Sequence, residues 1–143
     1  MRAMLKNEII ELYKKFRLMH YRSMFSRIKE KDGSLSATEA FAVDVIYLLG
    51  TPTLGQFADC LGLSQPNATY KVNNLIAKGY VVKTISDTDR RECRLCVTDK
   101  FFSYYDAQNG FVSRAISELE DSFSPDELCK FEKMLKALNT AMN

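Results

Sequence analysis

The stretch TLGQFADCLGLSQPNATYKVNNLIAKGYVVKTISDTDRRECRLCVT, Thr53 to Thr98, decides the fold. It opens on a capping box, Thr53-Leu54-Gly55-Gln56, with a hydroxyl at the N-cap and an amide three residues on. Leu54, Phe57, Ala58 and Leu61 then recur at helical spacing. Leu61-Gly62-Leu63-Ser64 supplies a helix-ending glycine, two apolar anchors for the corner and the cap of another helix. In that next helix Ala68, Val72, Leu75 and Ile76 form the inner face. Asn67, Tyr70, Lys71, Asn74 and Lys78 fall opposite, with Gln65 in the first turn. Gly79 ends the helix, and two β-prone runs follow, Tyr80–Ile85 and Cys93–Thr98. The link between them, Ser86-Asp87-Thr88-Asp89-Arg90-Arg91-Glu92, makes a hairpin with a charged tip.

Two helices joined by a tight, Gly-containing turn form a helix-turn-helix, and a basic hairpin directly behind it forms a wing. The outer face of the second helix carries amides, which bond adenine edges, and Lys71, which reaches phosphate or guanine acceptors. No carboxylate occurs between Gln65 and Lys78, as a helix approaching a phosphate-lined groove would prefer. Arginines on a protruding ribbon suit a narrow minor groove, where the negative potential is strongest.

Outside this stretch the chain reads as helix. Ser36-Ala37-Thr38-Glu39 and Ser124-Pro125-Asp126-Glu127 are two more capping boxes. Leu5, Ile9, Leu12, Phe16 and Met19, extended by Phe25 and Ile28, predict a first apolar stripe. Phe41, Val45 and Leu48 or Leu49 mark a second helix. Tyr105, Val112, Ala115 or Ile116, and Leu119 mark a fifth, and Leu128, Phe131, Leu135, Leu138 and Met142 a sixth. The expected fold class is mainly α with a small β-hairpin wing: a winged helix-turn-helix over residues 36–98, with helical dimerisation regions at 1–35 and 99–143.

Composition bounds the function. The chain has 143 residues, 46% hydrophobic and 27% charged, with 6 glycines and 3 prolines, which fits one compact helical unit. The net charge is only +2, but it is unevenly spread: nine bases and three acids in residues 1–31, four acids and no base in 32–63, seven bases and four acids in 64–100. No apolar run approaches the roughly 20 residues that span a bilayer, and no signal peptide opens the chain, so a cytoplasmic protein with reduced thiols is expected. With a single histidine, His20, and no phosphate loop or nucleophile motif, the chain has no visible catalytic machinery, and no cofactor is expected.

The Leu61-Gly62-Leu63-Ser64 turn, the run Leu75-Ile76-Ala77-Lys78-Gly79-Tyr80, and Asp89-Arg90-Arg91 followed by Leu95-Cys96-Val97-Thr98 resemble the MarR-type winged helix-turn-helix regulators. Asp89, Arg91, Val97 and Thr98 match the wing pattern of that family; three residues after Thr98, where many members carry a glycine, this chain has Phe101. The resemblance implies a homodimer built by the first and last helices, and a ligand-responsive repressor on a pseudo-palindromic operator. It makes Ser64–Lys78 the recognition helix, with Arg91 in the minor groove and Asp89 orienting it. The expected DNA-binding set is Ser64, Gln65, Asn67, Tyr70, Lys71, Asn74, Asp89, Arg90, Arg91 and Arg94. Partners are double-stranded DNA, a second copy and a small-molecule effector whose pocket residues are not assigned.

Other residues read more plainly. His20 fits a structural or solvated role better than contact with an anionic effector. Cys93 and Cys96 form a C-x-x-C on one strand, where an offset of three sends the side chains to opposite faces, and Cys60 and Cys129 complete no ligand set. Structural thiols are expected and no metal site. Redox sensing through Cys93 and Cys96, beside Arg91 and Arg94, is one alternative, and a winged-helix protein-interaction adaptor is another. The run Phe101-Phe102-Ser103-Tyr104-Tyr105, with Phe111, reads as packing before it reads as an effector pocket.

Overall fold

A computed structural model describes residues 1–28, 35–85 and 92–143, and their side chains except at 27 and 104–109. Six helices and one two-stranded antiparallel sheet appear among them, in the order α1 (Arg2–Ile28), α2 (Ala37–Leu48), α3 (Leu54–Leu61), α4 (Gln65–Ala77), β1 (Val81–Ile85), β2 (Cys93–Val97), α5 (Asp99–Ser122) and α6 (Pro125–Ala141). The expected fold class is therefore the observed one. The chain divides into two compact units, Met1–Asp106 and Ala107–Asn143.

Local hydrogen bonds set the helix starts. In each capping box the hydroxyl of Ser36, Thr53 or Ser124 accepts the N–H of Glu39, Gln56 or Glu127, and that residue's side chain accepts the N–H of the cap, all within 3.3 Å. Gly62 ends α3 in the left-handed region at φ 63°, which a residue with a Cβ enters only at a cost. The Leu63 N–H reaches back to the Ala58 carbonyl at 2.9 Å, so the turn into α4 is closed on itself. Gly79, at φ 82°, turns the chain from α4 into β1 in the same way, with Tyr80 N–H on the Leu75 carbonyl at 3.0 Å.

The core lies in the first unit. Phe57, Phe101, Leu35, Ile46, Leu75, Leu95, Val43, Val72 and Val81 are fully buried, each such side chain stabilising by about 1.5–3 kcal/mol relative to exposure. The α4 inner face is as expected, with Ala68, Val72 and Leu75 buried and Ile76 half-buried. Phe101, at the departure from the family pattern, anchors the first turn of α5: it is buried, with its ring centroid 5.2 Å from that of Tyr47 on α2.

The inward faces of α1 and α2 are set by packing. In α2 the buried residues are Ala40, Ala42, Val43 and Ile46, whereas Phe41, Leu48 and Leu49 are exposed. The helix is apolar on every side, so periodicity alone does not select the inward face. In α1 the stripe through Leu5, Ile9, Leu12, Phe16 and Phe25 is exposed in the single chain; among the described side chains of this helix Met24 alone is buried, with Met19, His20, Ser23 and Ile28 half-buried near it. Met4, Ile10, Tyr13 and Leu18, also exposed, distribute apolar surface around the rest of this helix.

The second unit is a helical hairpin: the latter part of α5, a Phe123-Ser124 corner, and α6. Among its described residues none is buried. Leu119, Phe123, Leu128, Phe131 and Met134 line an apolar groove of about 350 Å³ between the two helices.

Candidate nucleic-acid interface

The helix α4 is the centre of the candidate interface. Its N-cap hydroxyl, on Ser64, accepts the Asn67 N–H at 3.4 Å, and Pro66 occupies the first turn, where its missing N–H leaves no gap in the ladder. With Ala68, Val72 and Leu75 held in the core, the opposite side of the helix is forced outward. There Gln65, Asn67 and Tyr70 are exposed, and Lys71 and Asn74 are half-buried on its flank. Tyr70 is 69% exposed on this face. Thr69 is turned back on the helix, its hydroxyl donating to the Gln65 carbonyl at 2.9 Å.

Asn73 is also exposed and belongs to this outward face, between Tyr70 and Ala77. It is absent from the expected set, which has its neighbour Asn74 instead; Asn74 is half-buried. A helical wheel centred on Ala68, Val72 and Leu75 sets the two asparagines almost equally far from the inner face, so spacing does not separate them.

The far end of α4 is tied down. Lys78 Nζ donates to Glu39 Oε2 at 2.7 Å, with the lysine side chain 29% exposed and the glutamate 12%. Lys78 is thus spent on an internal ion pair instead of the outer face. Burial pushes the Glu39 carboxyl up, but the Lys78 hydrogen bond, the Ser36 N–H and the Lys78 charge together outweigh it and hold the group below its ordinary value. The carbonyls at the helix end accept from the start of α5: Lys100 Nζ donates to Lys78 O at 2.8 Å and Thr98 Oγ1 to Gly79 O at 2.6 Å. Lys100 Nζ also sits 4.6 Å from the centre of the Tyr80 ring.

The hairpin pairs Val81 with Val97, Lys83 with Leu95, and Ile85 with Cys93. It is braced by the segment ahead of α3: Thr53 bridges to Arg94, and Leu95 N–H donates to the Pro52 carbonyl at 2.8 Å. Arg94 contributes with its guanidinium, donating to the Thr51 carbonyl at 3.0 Å and to Glu92 Oε1 at 2.7 Å. Of the expected DNA-binding residues, the structure therefore gathers Ser64, Gln65, Asn67, Tyr70, Lys71 and Asn74 on one helix and engages Arg94 in the base of the wing. Asp89, Arg90 and Arg91 lie outside the described residues. A cleft of about 640 Å³ runs between the starts of α3 and α4 and the hairpin, lined by Thr53, Gln65, Lys83, Glu92 and Cys93 among others. Lys83 is exposed there, a cation that the sequence reading did not single out.

The remaining singled-out groups have plain settings. Cys93 pairs across from Ile85 and Cys96 from Val82, on alternate faces of β2 as expected; the Cys96 Sγ lies 3.7 Å from Thr84 Oγ1. His20 Nε2 is 3.2 Å from Asp44 Oδ2, a link between α1 and α2 that fits the structural reading of this histidine. Among the described residues no group of three or more His, Cys, Asp or Glu side chains is placed to hold a metal ion, and no helix is long and apolar enough to cross a membrane.

Comparison with known proteins agrees with this architecture. Residues 34–92 match the MarR family. The chain is 28% identical over 106 residues to the uncharacterized HTH-type transcriptional regulator YkoM of Bacillus subtilis, covering 74% of this chain and 69% of that protein. In solved structures the same fold occurs in the transcriptional regulator Tm0710 of Thermotoga maritima, with a TM-score of 0.60, 19% identity, and 98% of this chain and 94% of that one covered. It occurs again in Streptococcus pneumoniae FabT, solved in complex with DNA, with a TM-score of 0.57, 20% identity, and coverage of 99% and 97%. The turn, the capped α4 and the braced hairpin thus sit in a chain that matches the MarR family over residues 34–92 and shares the fold of solved transcription regulators.

Proposed function

We propose that this chain is a cytoplasmic, homodimeric, sequence-specific DNA-binding regulator, not an enzyme, that acts as a ligand-responsive repressor on a pseudo-palindromic operator. The observation that carries the reading is α4: a helix cored on one side, free of carboxylates, and presenting amides, Tyr70 and Lys71 on the other, next to the wing base. Each subunit sets this face into a major groove, while Arg91 reaches the flanking minor groove. The DNA complex of FabT supports the DNA-binding part of the reading.

Dimerisation through residues 1–35 and 99–143 is supported by apolar surface without cover. A 37-residue hairpin with no buried side chain among its described residues does not hold its own fold in water, and α1 exposes Leu5, Ile9 and Leu12 as well. A second copy is the partner for both. A small-molecule effector then acts by changing the separation of the two α4 helices.

The test is fluorescence anisotropy on DNA from upstream of the chain's own gene and on duplexes selected from random sequence. Binding that resists non-specific competitor, falls steeply with salt and saturates at two subunits per site is expected. Arg91→Ala should lose about 1–3 kcal/mol of binding. Weak binding, equal for every duplex, would favour the protein-interaction adaptor instead.

A further inference from the structure

We infer that the operator half-site is read at A·T pairs, through the side-chain amides of α4, with Asn73 as one of the reading residues. The inference rests on the DNA-binding reading above and adds the chemistry of the bases that the helix accepts.

The argument is an inventory of what α4 offers to a base edge. In the major groove guanine presents two acceptors, which Arg or Lys matches; cytosine presents an amino donor, which a carboxylate matches; adenine presents an acceptor beside a donor, which Asn or Gln matches in both places. From Gln65 to Ala77 there is no arginine and no carboxylate. The one lysine, Lys71, is half-buried on the flank, and Lys78 beyond it is held by Glu39 at 2.7 Å. Guanine and cytosine are thus left without a centred partner. Adenine has three exposed amides available, Gln65, Asn67 and Asn73, with Asn74 half-buried on the flank beside Lys71.

Asn73 follows Tyr70 by three residues and precedes Ala77 by four, so these three share one outward ridge. Its side chain is exposed and its backbone lies in the middle of a helix whose other side is locked in the core. It is therefore presented on a fixed support, as bidentate reading requires. Tyr70 and Ala77 on the same ridge give the thymine methyl an apolar neighbour.

The test begins with selection of duplexes from random sequence by the full-length chain. Adenines of the selected half-site are then replaced, one at a time, by 7-deazaadenine, which lacks the N7 acceptor; guanines are replaced by 7-deazaguanine in parallel. The change is confined to the major groove, so wing contacts in the minor groove are left intact. Loss of affinity on the order of tenfold at one or more adenines, with guanine replacements nearly silent, is expected. Losses at guanine with adenine silent would overturn this inference while the DNA-binding reading stands. Selection that enriches no sequence would overturn both. Asn73→Ala, with helicity checked by circular dichroism, should flatten the preference at one A·T position of the reselected site. An unchanged preference at every position would remove Asn73 from the reading set.

Discussion

Glu39→Gln separates the two tasks of one side chain. The glutamate closes the α2 capping box by accepting the Ser36 N–H at 2.9 Å and receives Lys78 Nζ at 2.7 Å. Glutamine retains an oxygen for the first task and loses the charge needed for the second. The magnitude follows from burial. Exposed pairs are worth about 0–1 kcal/mol, whereas breaking a fully buried pair costs about 3–5. With the carboxylate 12% exposed and the lysine 29%, this pair lies between, and roughly 1–3 kcal/mol is expected at neutral pH. For a unit of about 100 residues each kcal/mol lowers Tm by about 4–8 °C.

The pH dependence provides the sharper test. The folded-state pKa of Glu39 is depressed, so its contribution is present above the unfolded carboxylate value and is lost as pH falls through the folded one. Thermal unfolding of wild type and Glu39→Gln, followed by circular dichroism from pH 7 down to pH 3, should show the gap between them narrowing in acid. Other carboxylates titrate in both proteins and cancel in the difference. A gap that stays constant with pH would refute the charge argument and leave only a packing or capping effect.

Three further outcomes are expected. Gly62→Ala should destabilise by about 1–2 kcal/mol, measured by urea unfolding, because φ is 63° and no atom lies within 4 Å of the added carbon, so the cost is backbone alone. Phe131→Glu, at a 41% exposed position beside the α5–α6 groove, should shift the chain from dimer to monomer in sedimentation velocity, with loss of binding to a full operator. Under mild oxidant, mass spectrometry should find no Cys93–Cys96 disulfide within a folded chain, since the two thiols lie on alternate faces of β2.

The parts of this fold legible in sequence are those whose physics is local. Each capping box closes between residues three apart, so Ser36, Thr53 and Ser124 announce their helices without tertiary context, as do the glycines that end α3 and α4. The inner face of α4 was legible because its polar and apolar sides are cleanly separated. In α2, apolar on most sides, and in α1, where apolar and charged residues alternate all the way round, periodicity singles out no one face. Within the candidate interface the same limit appears at finer scale: Asn73 and Asn74 are chemically identical neighbours, and only the helix orientation tells which one faces out. The roles of Lys78 and Arg94 depend on partners 39 and 43 residues away, Glu39 and Thr51, and no spacing rule reaches that far.

The brace between the wing and the segment ahead of α3 stores its information in an unusual place. Thr51 is exposed and holds Arg94 through its carbonyl oxygen, and Pro52 holds the Leu95 N–H in the same manner. An alanine scan is blind to an atom that every amino acid carries, so Thr51 would score as dispensable. The position tolerates drift in residue identity and no drift in length. One inserted residue between Gly50 and Thr53 would put the carbonyls out of step with Arg94 and Leu95 and loosen the wing, while every side chain of the brace remained in place. Evolution should be visible here as free substitution at Thr51 under a strict ban on insertions and deletions in the segment around it.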